Sequence, residues 1–104
     1  MEKIRVTKQE MKRKTYITTL ANNQVVINDT RNNVIDFISY DTLIARYNLN
    51  TNKLTLNMNW WDYSKTTRTY FKEFINSYCN GYHYEDKKTF VNDYKIGGIY
   101  WYGI

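Results

Sequence analysis

A chain of 104 residues has room for one domain, since domains usually run to ~100–150 residues. Hydrophobic residues make up 42% of it and aromatics 17%, with 11 Tyr, 4 Phe and 3 Trp, an apolar payload that disordered chains lack. With no proline and four glycines it is neither collagen-like nor a flexible linker, and no apolar run nears the ~20 residues that span a bilayer.

The formal net charge of +5 is unevenly placed. Residues 1–14 carry six basic side chains (Lys3, Arg5, Lys8, Lys12, Arg13, Lys14) against Glu2 and Glu10, so this basic N-terminal segment is +4 and residues 15–104 sum to +1. Such an arm on a nearly neutral body suits phosphate or an acidic protein surface; it equally suits a strand edge kept from self-pairing by lysines. The lone Cys79 excludes an internal disulfide and a Cys-based zinc site. Met1-Glu2-Lys3 opens onto no apolar signal segment, so a cytoplasmic setting is expected. Abundant Asn, Lys, Ile, Tyr and Thr with little Ala match AT-rich codons, pointing to a low-GC bacterium or its phage.

Residues 3–8 alternate polar and apolar, as a half-buried strand does. Residues 15–20 and 24–28 are rich in β-branched residues, and Asn22-Asn23 between them suits a tight turn because Asn tolerates positive φ. A second turn is expected at 29–33. From Val34 to Tyr47 the chain is β-prone, interrupted near Ser39-Tyr40-Asp41, and 42–58 reads as a hairpin looped at 48–52. Ser64 is a suitable N-cap for the main helix, whose Tyr70, Phe71, Phe74, Ile75 and Tyr78 form one apolar face; Gly81 is expected to close it. Asp86 caps a shorter helix to Tyr94, with Phe90, Val91 and Tyr94 inward, and Gly97-Gly98 ends it before a terminal strand at 99–102. The pattern predicts a single α+β domain over 1–104, an antiparallel sheet packed on one main helix plus a short second helix.

No catalytic signature stands out, so the expectation is a non-enzyme with no cofactor and no metal. His83 is the only histidine and has no evident partner. Cys79, placed on the polar flank of the main helix pattern or near its end, lacks the base that a nucleophile needs. Asp36, Asp41, Asp62, Glu85, Asp86 and Asp93 are too scattered for a metal or glycosidase pattern. The remaining signal is aromatic: Trp60, Trp61 and Tyr63 precede the helix, and Tyr100, Trp101 and Tyr102 lie near the C-terminal end. Neighbouring aromatics on a strand cannot all point inward, so some are expected at the surface, where Trp and Tyr anchor protein interfaces or stack on bases.

Ser39-Tyr40-Asp41-Thr42-Leu43-Ile44-Ala45, followed by Trp61-Asp62-Tyr63-Ser64-Lys65-Thr66-Thr67, resembles short proteins carried by phages and conjugative elements of low-GC Gram-positive bacteria. Phe74-Ile75, Asn80-Gly81-Tyr82, Tyr84-Glu85-Asp86, Phe90 and Asn92-Asp93 are similar to the helix–loop–helix end of type II-A anti-CRISPR proteins, which inhibit Cas9. That resemblance implies a small α/β domain seated where Cas9 reads the DNA flank of its target, with an acidic loop in place of phosphate. Glu85 and Asp86 match part of that loop, whereas Lys87, Lys88 and Thr89 stand where the family has further acidic residues.

The expectation is therefore a phage- or mobile-element-encoded inhibitor of a host defence nuclease, Cas9 or its guide-RNA complex. Its partner contacts would be Trp60, Trp61, Tyr63, Tyr82, Glu85 and Asp86. The alternative is a small basic DNA-binding protein using Lys3, Arg5, Lys8, Lys12, Arg13, Lys14 and Arg46 on phosphates. An assembly module of the same elements is a third reading.

Overall fold

The computed structural model describes residues 15–94 and 100–101. The expected strand over 3–8, the basic residues Lys3, Arg5, Lys8, Lys12, Arg13 and Lys14, the Gly97-Gly98 break and the Tyr100–Tyr102 side chains lie outside that description.

Five strands run antiparallel in the order of the chain: β1 (Thr15–Ala21), β2 (Gln24–Asp29), β3 (Val34–Ser39), β4 (Thr42–Asn48) and β5 (Lys53–Asn57). Two helices follow, α1 (Lys65–Tyr78) and α2 (Lys87–Tyr94), and then β6 (Tyr100–Trp101), giving the expected α+β domain. The terminal strand departs from an all-antiparallel sheet. After the helical crossover it lies parallel to β5, Leu56 opposite Tyr100, because the crossover carries the chain back toward the end at which β5 began.

The turns form where short polar residues accept left-handed backbone. Asn23, Asn33 and Asn52 have φ of 63°, 56° and 57°. The β3–β4 turn has Tyr40 and Asp41 at φ 50° and 65°, the pair of positive angles that a two-residue hairpin turn requires. Neighbouring turns are tied together, the Tyr40 N–H donating to the Asn23 carbonyl at 2.9 Å and the Leu49 N–H to that of Asn33 at 2.8 Å.

Register then sets the core. Val26, Phe37, Ala45 and Leu56 line up across β2–β5, and Ile35, Tyr47 and Leu54 make a second row on the same face; all are buried. A register shift after Phe37 leaves Ile44 without a partner on β3, so Ile44 and Ala45 are both buried although adjacent. Onto these rows α1 lays Phe71, Phe74 and Ile75, with Phe74 stacked on Phe37 at 5.7 Å between ring centres. Ser64 caps α1 as expected, its Oγ accepting the Thr67 N–H at 3.1 Å.

The helix does not end on Gly81. It ends at Cys79, whose extended backbone leads into a turn in which the Tyr82 N–H donates to the Cys79 carbonyl at 3.0 Å; Gly81, at φ 90°, is the third residue of that turn. Cys79 thus lies at the helix end, one of the two places expected for it, and not on a polar flank; leaving the helix there folds it inward, to 3% exposure.

Candidate docking site

The segment 58–64 between β5 and α1 carries the first aromatic cluster, and it separates the two tryptophans. Trp60 and Trp61 both donate backbone N–H to the Asn57 carbonyl, at 3.0 and 2.8 Å, so they sit on a turn and not on a strand. Trp61 turns inward and is 4% exposed, against Phe71 at 5.4 Å and Phe90 at 6.1 Å. Its expected role as a contact residue is therefore corrected: it is a core residue, with the Lys87 ammonium 5.9 Å from its ring centre.

Trp60 turns outward, 41% exposed, with Tyr63 beside it at 4.6 Å and 69% exposed. Across from them the β3–β4 turn presents Tyr40, 53% exposed. The three rings border a cleft of about 220 Å³ lined also by Ser39, Thr42, Ile44 and Thr67. The floor is held by hydroxyls: Ser39 Oγ lies 2.9 Å from Thr67 Oγ1, which accepts from Ser64 Oγ at 3.0 Å.

Tyr40 and this floor were named from the sequence only as motif and capping residues, not as contacts. The signal was present in the hairpin motif. Left-handed backbone costs a side-chain-bearing residue about 1–2 kcal/mol, and Asn, Asp or Gly meets that demand more easily than Tyr. A bulky ring kept there beside two other exposed rings points to a role at the surface.

The other expected contacts do not join this cleft. Tyr82 is half-buried between Tyr47 (6.2 Å, edge-on) and Tyr94 (5.0 Å), beyond the far end of α1, whose 14 residues span roughly 20 Å. Asp86 is an N-cap: it accepts the Thr89 N–H at 2.9 Å and the Thr89 hydroxyl at 3.2 Å. These bonds hold its carboxyl below the usual carboxylate range. Glu85 is exposed beside it, and the next residue, Lys87, is ion-paired with Asp62. An acidic loop in place of phosphate is thus reduced here to one uncommitted carboxylate.

Arg46 is exposed but engaged. Its guanidinium binds Asp36 across the strands through two bonds, at 2.7 and 2.9 Å, which raises its pKa further. The Cys79 thiol is pushed up by burial, and His83 is an exposed loop residue whose backbone N–H donates to the Tyr94 hydroxyl at 3.0 Å. Among the described residues no three His, Cys, Asp or Glu side chains are grouped to hold a metal ion, and no helix is long and apolar enough to cross a membrane.

A small sheet-and-helix domain with an aromatic cleft open to solvent is the class these features define. The chain belongs to a family of unknown function, DUF8033, whose model matches residues 6–92. No curated protein and no solved structure matches it.

Proposed function

We propose that this protein is a non-enzymatic inhibitor of a host defence nuclease, with type II-A Cas9 as the target, and that it docks through the Tyr40–Trp60–Tyr63 cleft. The observation that carries the docking reading is the set of three exposed rings around an apolar cleft, one of them held on left-handed backbone. A partner's apolar side chain entering the cleft would be desolvated against Ile44 and the rings, with the tyrosine hydroxyls left at the rim for hydrogen bonds. The choice of target rests on the resemblance of residues 74–93 described above, and that of residues 39–45 and 61–67 supports only the phage or mobile-element source.

The test is target-DNA cleavage by Cas9–guide complexes titrated with the protein. Stoichiometric loss of cleavage is expected, and Trp60→Ala or Tyr63→Ala should weaken inhibition by roughly 30-fold, which is ~2 kcal/mol of hot-spot energy. Unchanged inhibition by folded variants would remove the cleft; no inhibition by the wild type would remove the target.

The DNA-binding alternative draws its support from the +4 charge of residues 1–14. The sheet face away from the helices gives it little, since that face carries aliphatic residues and the Arg46–Asp36 pair. Retardation of naked DNA that falls steeply with salt would favour it.

A further inference from the structure

Strand β1 forms one border of the sheet, and among the described residues it pairs only with β2. Residues 15–19 are exposed, with Tyr16 at 59% and Ile17 at 66%. At the other side of the sheet the two-residue β6 lies along the end of β5, paired at Leu56 and Asn57, and is the last strand in the order. A strand border offers a row of backbone donors and acceptors, and proteins normally blunt it with lysines, proline or a central bulge. β1 carries none of these: Thr-Tyr-Ile-Thr-Thr-Leu-Ala is uncharged and free of proline, and its one register shift, between Thr19 and Ala21, falls at the end. What fits such a row is another extended chain.

We propose that β1 pairs antiparallel with β1 of a second copy, about a two-fold axis at Thr18, so that the two sheets become one. The sequence is self-complementary in this register. Thr18 meets Thr18, Ile17 meets Thr19, and Tyr16 meets Leu20, a ring against an aliphatic side chain. No charge lies on β1, so nothing repels across the axis, which a strand bearing lysines would not allow. Opposed residues share a face: Tyr16 and Thr18 lie on the helix side, paired with Asn28 and Val26 of β2, and Leu20, at the register shift, packs against the core on that side. Both helix layers therefore come to the same side of the joined sheet. The faces away from the helices join on the other side, where Ile17 pairs with Ile27, and Val25 with Ile38. The surface used lies at the sheet border, separate from the aromatic cleft, so this proposal stands or falls apart from the docking reading.

Sedimentation of the full-length protein tests it. A dimer is expected for the wild type. Thr18→Lys places like charges opposite each other and should give a folded monomer, as should Thr18→Glu; mixing the two variants should restore the dimer. That rescue separates a lost interface from a lost fold. Thr18→Cys should form an intermolecular disulfide under mild oxidation, since opposed Cα atoms ~4.5–5.5 Å apart fall within disulfide reach. A wild-type monomer would overturn the proposal, whether its β1 amides exchange freely or are protected by another segment of the same chain, such as residues 3–8. A dimer that survives both charge substitutions and yields no Thr18→Cys crosslink would overturn it equally.

Discussion

Truncating Trp61 and Trp60 separately should give two very different proteins, although the residues are neighbours. A tryptophan covers ~150–250 Å². At 4% exposure nearly all of the Trp61 side chain is withdrawn from water, which at ~25 cal/mol per Å² is about 4–6 kcal/mol of transfer free energy. The measured cost of Trp→Ala in a packed core is ~3–5 kcal/mol. Phe71, Phe90 and Tyr84 already pack on one another at 5.1–5.6 Å, and this limits how far they can close the gap. We expect Trp61→Ala to cost about 4 kcal/mol, a large share of the ~5–15 kcal/mol that holds a typical domain folded. Trp60 is 41% exposed and leans chiefly on Tyr63, so Trp60→Ala should cost about 1 kcal/mol. Urea unfolding followed by far-ultraviolet circular dichroism measures both, with an unchanged slope showing that only stability has moved. Equal costs for the two variants, or less than ~1.5 kcal/mol for Trp61→Ala, would refute the division of this pair into core and surface. The same experiment guards the docking test, because loss of function in Trp61→Ala reports unfolding whereas in Trp60→Ala it reports contact.

Ser64→Ala should lower stability by ~1 kcal/mol through loss of the α1 cap, measured by the same titration, and Ser64→Asp should restore most of it. Gln24 is fully buried, and neither of its amide atoms has a partner among the described residues, so Gln24→Met should raise stability by ~1 kcal/mol or more. A loss instead would mean that the amide meets a group from outside those residues. Asp86 titrates lower in the folded chain than in the unfolded one, so its contribution is present above ~pH 4 and is lost as pH falls through the folded value. Asp86→Asn should flatten this acid limb of the stability curve, and an unchanged limb would show that other carboxylates set it. The Cys79 thiol, buried and raised in pKa, should resist iodoacetamide at neutral pH and react only as the fold opens. Rapid labelling of the native protein would contradict its placement.

The elements themselves were legible. Turn-forming asparagines, β-branched runs and a capped aromatic stripe place β1 to β5, α1 and α2 nearly as observed, because each depends on local chemistry. The direction of individual side chains was legible only where an element's period applied. Trp60 and Trp61 lie on a turn, where neither the strand nor the helix rule says which ring goes inward. Cys79 follows the last helical residue, so the helical pattern that would make it polar has already ended. Thr67 lies on the buried face of α1 as a polar residue, and its partner Ser39 is 28 positions away, a pairing that no local pattern contains. The cleft is assembled from a hairpin turn, a post-strand turn and the start of a helix, so it exists only once the sheet has brought them together.

The sheet's order has a consequence for how the chain acquires its shape. Every strand from β1 to β5 pairs with its neighbour in sequence, across connections of only two or four residues. Closing such short loops costs little entropy, and chains built from near-neighbour contacts cross their folding barriers quickly. Emerging from a ribosome, the chain can zip these hairpins one after another before α1 has been made. Phe37, Tyr47, Leu54 and Leu56 then wait in water for a lid that follows them in the sequence. That interval is when the nascent protein is most exposed to chaperones and to its own kind, and it closes when Phe71, Phe74 and Ile75 settle onto the waiting surface.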